Sequence, residues 1–238
     1  IHIGYRDYEV WEIPPNGDGI IALMALNILK NFEFESDGRE SAETCHRQLE
    51  AMKLAFADGT RYVADTKSMT VTAAELLSGS YGRMRSRLIG KTAGTPNAGE
   101  PRSGGTIYLC TADREGNMVS FIQSNFNGFG SGVVVPGTGI SLQNRGCAFT
   151  LDGKSENCLG PEKKAFHTII PGFLTKGGEA VGPFGVMGAF MQPQGHVQVL
   201  MNMIDFKLNP QEALDAPRWQ WIKDKKVQVE PLFPNELA

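Results

Sequence analysis

The sequence predicts an α+β protein, on three observations. Between Ile20 and Ile89 the apolar residues recur at helical spacing. From Ile107 to Met187, short runs rich in Val, Ile, Phe and Leu alternate with turns containing Gly, Pro or Asn, as antiparallel strands do. From Gly195 to Ala216 helical runs return. At 238 residues the chain can bury one sizeable core or two small ones.

Taken in order, Tyr8 to Ile13 alternates loosely and reads as a strand, and Pro14-Pro15-Asn16-Gly17-Asp18-Gly19 reads as a loop. Ile20 to Phe32 is apolar nearly all round, which predicts a buried helix. Ser41 to Tyr62 predicts a second helix with Ser41 as its cap. Leu49, Met52, Ala55 and Phe56 form its apolar stripe, and Arg47, Lys53 and Asp58 read as a solvated face. Thr72 to Ile89 predicts a third helix, capped by Thr72, with a break at Gly79-Ser80-Tyr81-Gly82.

Gly90 to Gly105 then loses all hydrophobic periodicity and reads as a linker. It divides a helical part, residues 1–105, from a β-rich part, residues 106–238. The second part opens with a hairpin, Ile107 to Thr111 and Met118 to Gln123, around Arg114-Glu115-Gly116-Asn117. Short strands are expected at Gly132 to Val135 and Gly139 to Leu142, and a loop at Gly146 to Gly160. A strand pair follows, Thr168 to Thr175 and Ala180 to Met187. Gly195 to Phe206 predicts a helix packed on the sheet, Pro210 to Ala216 a short helix capped by Asn209, and Val227 to Val229 a last strand.

Composition narrows the function. A net charge of −3 gives no electrostatic reason to expect nucleic acid or an anionic membrane. The four cysteines form no C-x-x-C pair and the four histidines no H-E-x-x-H, so neither metal nor cofactor is expected. Ile20 to Leu29 is too short to span a bilayer. Gly128 to Gly132 is followed by the strand-like Val133-Val134-Val135 rather than by a helix, which argues against a phosphate cradle. The chain starts at Ile1 without a visible signal segment. It is therefore expected to be an internal piece of a longer protein, with a cytoplasmic location favoured over a periplasmic or secreted one.

Thr106 is the residue of most chemical interest. A threonine hydroxyl is a weak nucleophile until a base stands beside it, and a backbone cut just before Thr106 would supply that base as a free α-amine. An α-amine titrates near 7.7–8.0, roughly where proton transfer at neutral pH needs it. The polar linker and the unhindered Gly104-Gly105 suit such a cut. Taken alone, Thr106 reads as an ordinary β-branched residue at the start of a strand.

The surrounding motifs decide in favour of chemistry. Asp113, Gly116, Asn117, Val119, Ser120 and Phe129-Gly130-Ser131-Gly132 resemble the start of the small subunit of γ-glutamyltranspeptidases, which are N-terminal-nucleophile hydrolases made as self-cleaving precursors. The resemblance continues at Gly139 to Asn144, Gly160 to Lys164, Gly185 to Gly188 and Ala216-Pro217-Arg218. The wording is closest to a divergent bacterial branch described as γ-glutamyltransferase-like or cephalosporin-acylase-like.

This resemblance implies a four-layer αββα sandwich, present here in part. Residues 1–105 would be the end of the large subunit and 106–238 most of the small one, with the rest of the precursor as partner. It also implies an autoprocessed enzyme cleaving γ-glutamyl amides such as glutathione. An acyl group on Thr106 would pass to water or an amino acid. An acylase for glutaryl-like or other side-chain amides, or a member without turnover, is the alternative, and a homo-oligomer is left open.

Residue by residue, the cleavage would fall between Gly105 and Thr106, and Ser124 stands where the family has a second threonine supporting the nucleophile. Gly188 and Ala189 match the pair of glycines whose N–H groups hold the oxyanion. Among substrate-binding positions, Phe126, Arg145 and Ala148 replace a polar residue, a glutamine and an aspartate, and His167 and Thr168 replace two serines. The aspartate that would meet a substrate ammonium is thus missing. Arg145 favours a carboxylate in its place, so an acidic acyl group is expected.

Overall fold

The computed structural model describes residues 1–35, 38–95 and 105–237. Most of the expected linker, residues 96–104, lies outside them. The described elements are α and β in separate runs, as expected, with two strands and several boundaries that periodicity did not reveal.

The chain opens on two short antiparallel strands, β1 (His2–Tyr5) and β2 (Tyr8–Trp11). Helix α1 (Gly19–Leu29) follows, and every one of its residues is buried, which is why its sequence is apolar all round. It packs against α2 (Ala42–Tyr62), whose cap is Ser41: the hydroxyl accepts from the Thr44 N–H at 3.1 Å.

The third expected helix is two, α3 (Ala73–Leu76) and α4 (Gly79–Ser86). The break falls at Leu77-Ser78, because Ser78 caps α4 by accepting from Tyr81 N–H at 3.2 Å. Buried Asn27 fixes the break from α1, its Nδ2 donating to the carbonyls of Leu77 (3.2 Å) and Ser78 (3.0 Å).

The expected solvated face of α2 is corrected by the structure: Lys53 and Asp58 are buried. Each is held by charge. Asp58 pairs with Arg85 of α4 at 2.9 Å. Lys53 donates to Glu50 at 2.6 Å and to the Gly94 carbonyl, while Glu50 accepts from the Gly94 N–H at 3.1 Å. Sequence spacing reads a charge as solvated unless its surroundings are visible: Arg85 lies far along the chain from Asp58, and the Lys53–Glu50 pair is closed over by the distant Gly94.

Strands β3 (Gly105–Ala112) and β4 (Met118–Phe126) form the expected hairpin. Asp113 locks its turn by accepting from the N–H groups of Glu115 and Asn117 and from the Asn117 side chain, which holds its carboxyl below the usual range. The segment after it is not a strand pair. Val133 to Leu142 folds back on itself with a single bridge, Val134 to Ser141. It is stitched to the hairpin end by Asn144, which accepts from Asn127 N–H and donates to the Gly130 carbonyl.

Strands β5 (Gly172–Lys176) and β6 (Glu179–Phe184) complete a four-stranded antiparallel sheet in the order β1-β2-β5-β6. Helix α5 (Met191–Ile204) packs on α1, and the short α6 (Pro210–Asp215) is capped by Asn209. A last hairpin, β7 (Trp219–Lys223) and β8 (Lys226–Val229), was expected only in its second strand. Its first strand hides behind two tryptophans. Gln194 and Gln198, one turn apart on α5, exchange paired hydrogen bonds with the backbones of Trp221 and Trp219. These amides stand in for a neighbouring strand and satisfy groups that would otherwise be buried unpaired. No helix among the described residues is long and apolar enough to cross a membrane.

The approach of α4 to α1 is set by Gly82, where an added Cβ would lie 2.6 Å from the Asn27 carbonyl oxygen. Gly82→Ala is expected to cost about 1–3 kcal/mol through this overpacking. It will show as a lower urea midpoint with an unchanged slope.

Candidate active site

The hairpin places Thr106. Gly105 pairs with Phe126 and Ile107 with Gln123, so β4 carries a bulge at Ser124 and Asn125, opposite Thr106 of β3. Thr106 is half-buried. Ser124 Oγ accepts from the Phe126 N–H at 2.8 Å, in a turn that leaves Phe126 at a positive φ of 75°. A bulky residue there is strained, by roughly 1–3 kcal/mol, unless its surroundings fix it. Here the Arg145 guanidinium lies 5.2 Å from the centre of the Phe126 ring.

The hairpin is joined to the main sheet through Tyr108. Its hydroxyl lies 2.9 Å from Ser120 Oγ, which donates to the Gly172 carbonyl of β5 at 3.0 Å. Beneath the ring sits Gly185, where a Cβ would come within 2.5 Å of the aromatic carbons. Gly185 leads into Gly188 and Ala189, both at positive φ (118° and 51°), in a tight turn ahead of α5. Alanine keeps its N–H in that conformation but meets a steric penalty that glycine avoids.

Arg145 is buried, in a 3₁₀ turn at Arg145–Ala148. Its Nη1 donates to Thr168 Oγ1 at 3.3 Å, and its Nη2 has no partner among the described residues. Phe126, Cys147, Ala148, Phe166 and Phe190, together with the polar Thr60, Asn127 and Asn157, line a cavity of about 380 Å³ beside it, and Phe190 directly follows Ala189. The structure thus groups Phe126, Arg145, Ala148 and Thr168 at the hairpin end that begins with Thr106.

His167 is held differently. Its Nδ1 accepts from the Ile169 N–H at 3.1 Å, and burial, with Arg145 and Lys164 nearby, pulls its pKa down to about 4. It is a neutral acceptor, and its backbone does the positioning: Gly17 and His167 form a parallel bridge, and Asp18 N donates to the His167 carbonyl at 2.9 Å.

Two features of this region escape sequence reasoning. Asp18 directly precedes α1, where a cap is expected, yet its side chain makes no capping bond; it is fully buried and neither oxygen has a partner among the described residues. Burial and nearby Glu12 push its carboxyl well above the usual range, against the pull of Arg145. Glu12 in turn meets His196 of α5 at 2.5 Å, both fully buried. The only sequence signal for either was a carboxylate next to an apolar run. Among the described residues no three His, Cys, Asp or Glu side chains gather as a metal site.

Comparison with known proteins places this arrangement in a class. The family model for gamma-glutamyltranspeptidase matches residues 1–238. The chain belongs to that family. It is 38% identical over 217 residues to the glutathione hydrolase-like YwrD proenzyme of Bacillus subtilis, covering 91% of this chain and 41% of that one. It is 34% identical over 215 residues to the oxamate amidohydrolase proenzyme of Klebsiella pneumoniae, covering 90% and 40%. A crystal structure of cephalosporin acylase from Bacillus halodurans superposes with a TM-score of 0.94 at 61% identity, covering all of this chain and 43% of that one. The chain therefore spans about two fifths of the length of these relatives.

The state of His167 sets a pH dependence. Its folded pKa of about 4 lies below the roughly 6.5 of an unfolded histidine. Between those values the unfolded chain binds the extra proton, so this residue's contribution to stability falls as the pH drops from about 6.5 to 4. His167→Gln is expected to flatten the melting temperature against pH in that window and leave it unaltered above.

Proposed function

We infer that the chain is the larger part of the catalytic core of an autoprocessed amidohydrolase or acyltransferase whose nucleophile is Thr106. The observation that carries this is the position of Thr106 at the start of β3, opposite the bulge in β4, at the hairpin end occupied by Phe126 and Arg145. In this mechanism the peptide bond between Gly105 and Thr106 is cut first, which frees the Thr106 amine. That amine takes the proton from Oγ as it attacks the substrate amide carbonyl. The N–H groups of Gly188 and Ala189 hold the oxyanion, and Ser124 orients the nucleophile. The amine returns the proton to the leaving nitrogen, and an ester on Thr106 remains. Water or an amino acid then attacks that ester and restores the hydroxyl.

The substrate reading is an amide with an acidic acyl group, of the γ-glutamyl type. Buried Arg145 with an unpartnered Nη2 and the adjoining Thr168 hydroxyl support it, with the Phe126 and Ala148 cavity around the carbon chain. An acylase for glutaryl-like or bulkier amides is the second reading. It is favoured by the apolar lining of that cavity and by the likeness to a structure described as a cephalosporin acylase.

Residues 1–105 belong in this account to the large subunit and 106–238 to the small one, with the four-stranded sheet and the β3–β4 hairpin in the inner layers of an αββα sandwich. The outward face of the hairpin, where Ile107, Leu109, Val119 and Phe121 are exposed, is apolar enough to lie under the rest of the precursor.

A denaturing gel of the full-length protein is expected to show two fragments, the smaller starting at Thr106, and Thr106→Ala a single band without amidase activity. An intact, active chain would end this account. Arg145→Ala is expected to raise KM for acidic acyl amides about 10- to 100-fold, the loss of one buried charge-assisted hydrogen bond of about 1.5–3 kcal/mol. Amides of neutral acyl groups should change far less, and an equal rise for both would remove Arg145 from acyl recognition.

A further inference from the structure

Helix α5 carries the Gly188–Ala189 turn on its leading end. The carbonyls of Gly188 and Ala189 accept from the N–H groups of Met191 and Gln192, each at 2.9 Å. Just ahead of the turn, Val186 lies so close against the helix that a Cβ on Gly195 would come within 2.5 Å of its side chain. The loop and the first two turns of α5 therefore move as one body.

That body is gripped from two sides. Gln194 and Gln198 bind it to the β7 backbone. His196 stands between them in sequence, and at about 100° per residue its side chain leaves the helix on the opposite side. There its Nδ1 lies 2.5 Å from Glu12 Oε1, with both side chains fully buried. Glu12 directly follows β2 and is closed in by the start of α1: a Cβ on Gly19 would lie 2.7 Å from Glu12 Oε2 and 2.9 Å from Glu12 Cβ. The imidazole also packs against the Phe184 ring of β6, 4.9 Å away between centres at an angle of 69°. That ring covers Gly172, whose carbonyl receives Ser120 of the hairpin. His196 thus joins the segment ahead of α1 to the strands that seat Thr106.

Such a pair is a poor source of stability. Packed apolar side chains would fill the same space without the desolvation cost of a buried carboxylate and imidazole. What the short polar contact supplies is one fixed distance and direction. We propose that Glu12 and His196 are positioning residues for acyl transfer: their contact sets how α5 presents the Gly188 and Ala189 N–H groups to the oxyanion. This rests on the reading of that turn as the oxyanion holder.

Kinetics of the full-length protein test this, with whichever of γ-glutamyl- and glutaryl-p-nitroanilide it cleaves faster. Oxyanion contacts strengthen only in the transition state, so misplacing them lowers kcat and leaves KM alone. Glu12→Met keeps the length of the side chain and loses the hydrogen bond. It is expected to lower kcat about 10- to 100-fold with KM held within about twofold. Gly19→Ala, which pushes on the carboxylate from α1, should give the same split to a smaller degree. Glu12→Gln keeps an oxygen for His196 and should recover most of the rate. An unchanged kcat in Gly19→Ala, a KM that rises in step with the fall in kcat, or a Glu12→Gln as slow as Glu12→Met overturns the proposal. Where Glu12→Met fails to fold, Gly19→Ala decides alone. Failure of the enzymatic reading looks different: a wild type that stays uncut and cleaves neither anilide removes the oxyanion holder, and this proposal with it.

Discussion

The small contact among Tyr108, Ser120, Gly172 and Gly185 is what the rest of the site depends on. The β3–β4 hairpin shares no ladder with the four-stranded sheet. One hydrogen bond from Ser120 to the Gly172 carbonyl, with the Tyr108 ring seated over Gly185, fixes it there. Three distances follow from that seat: where Thr106 begins, where Phe126 ends, and how far both lie from the Gly188–Ala189 turn. Gly185 serves both sides of the contact, since the backbone that receives the ring continues into the turn. Any side chain at 185 would push Thr106 and the turn apart.

Around this joint the chain carries both conformational and electrostatic cost. Phe126 and Ala189 both occupy the left-handed region without being glycine. Asp18, Glu12, Gln192, His196 and Arg145 bury polar atoms that the described residues leave unsatisfied. Elsewhere the same chain pairs its buried groups closely, as at Lys53–Glu50 and at the two α5 glutamines. Strain and unsatisfied polarity of this kind persist where the surroundings over-determine them.

Much of this was legible beforehand, and the misses share a cause. The α1 and α2 helices, the hairpin and the Asn209 cap declare themselves through local signals: apolar periodicity, a capping hydroxyl and a tight turn. The roles of Lys53, Asp58 and Asp18 depend on Gly94, Arg85 and His167, segments far away in sequence, and no local pattern encodes them. The same holds for β7, whose edge is satisfied by amide side chains from a helix. Motifs drew attention to Thr106, Arg145, Gly188 and Ala189, but not to how they sit. Arg145 lies buried over a ring, and Ala189 is bent as a glycine would be.

The Glu50–Lys53 pair has a consequence for a chain cut before Thr106. It grips Gly94 through both its N–H and its carbonyl, from inside the core. Eleven residues, 95–105, separate that grip from Thr106. Fully stretched, eleven residues reach roughly 36–40 Å. A newly made carboxyl end would therefore stay leashed to the same body as the threonine it left, as a local anion at high effective concentration rather than a departing fragment.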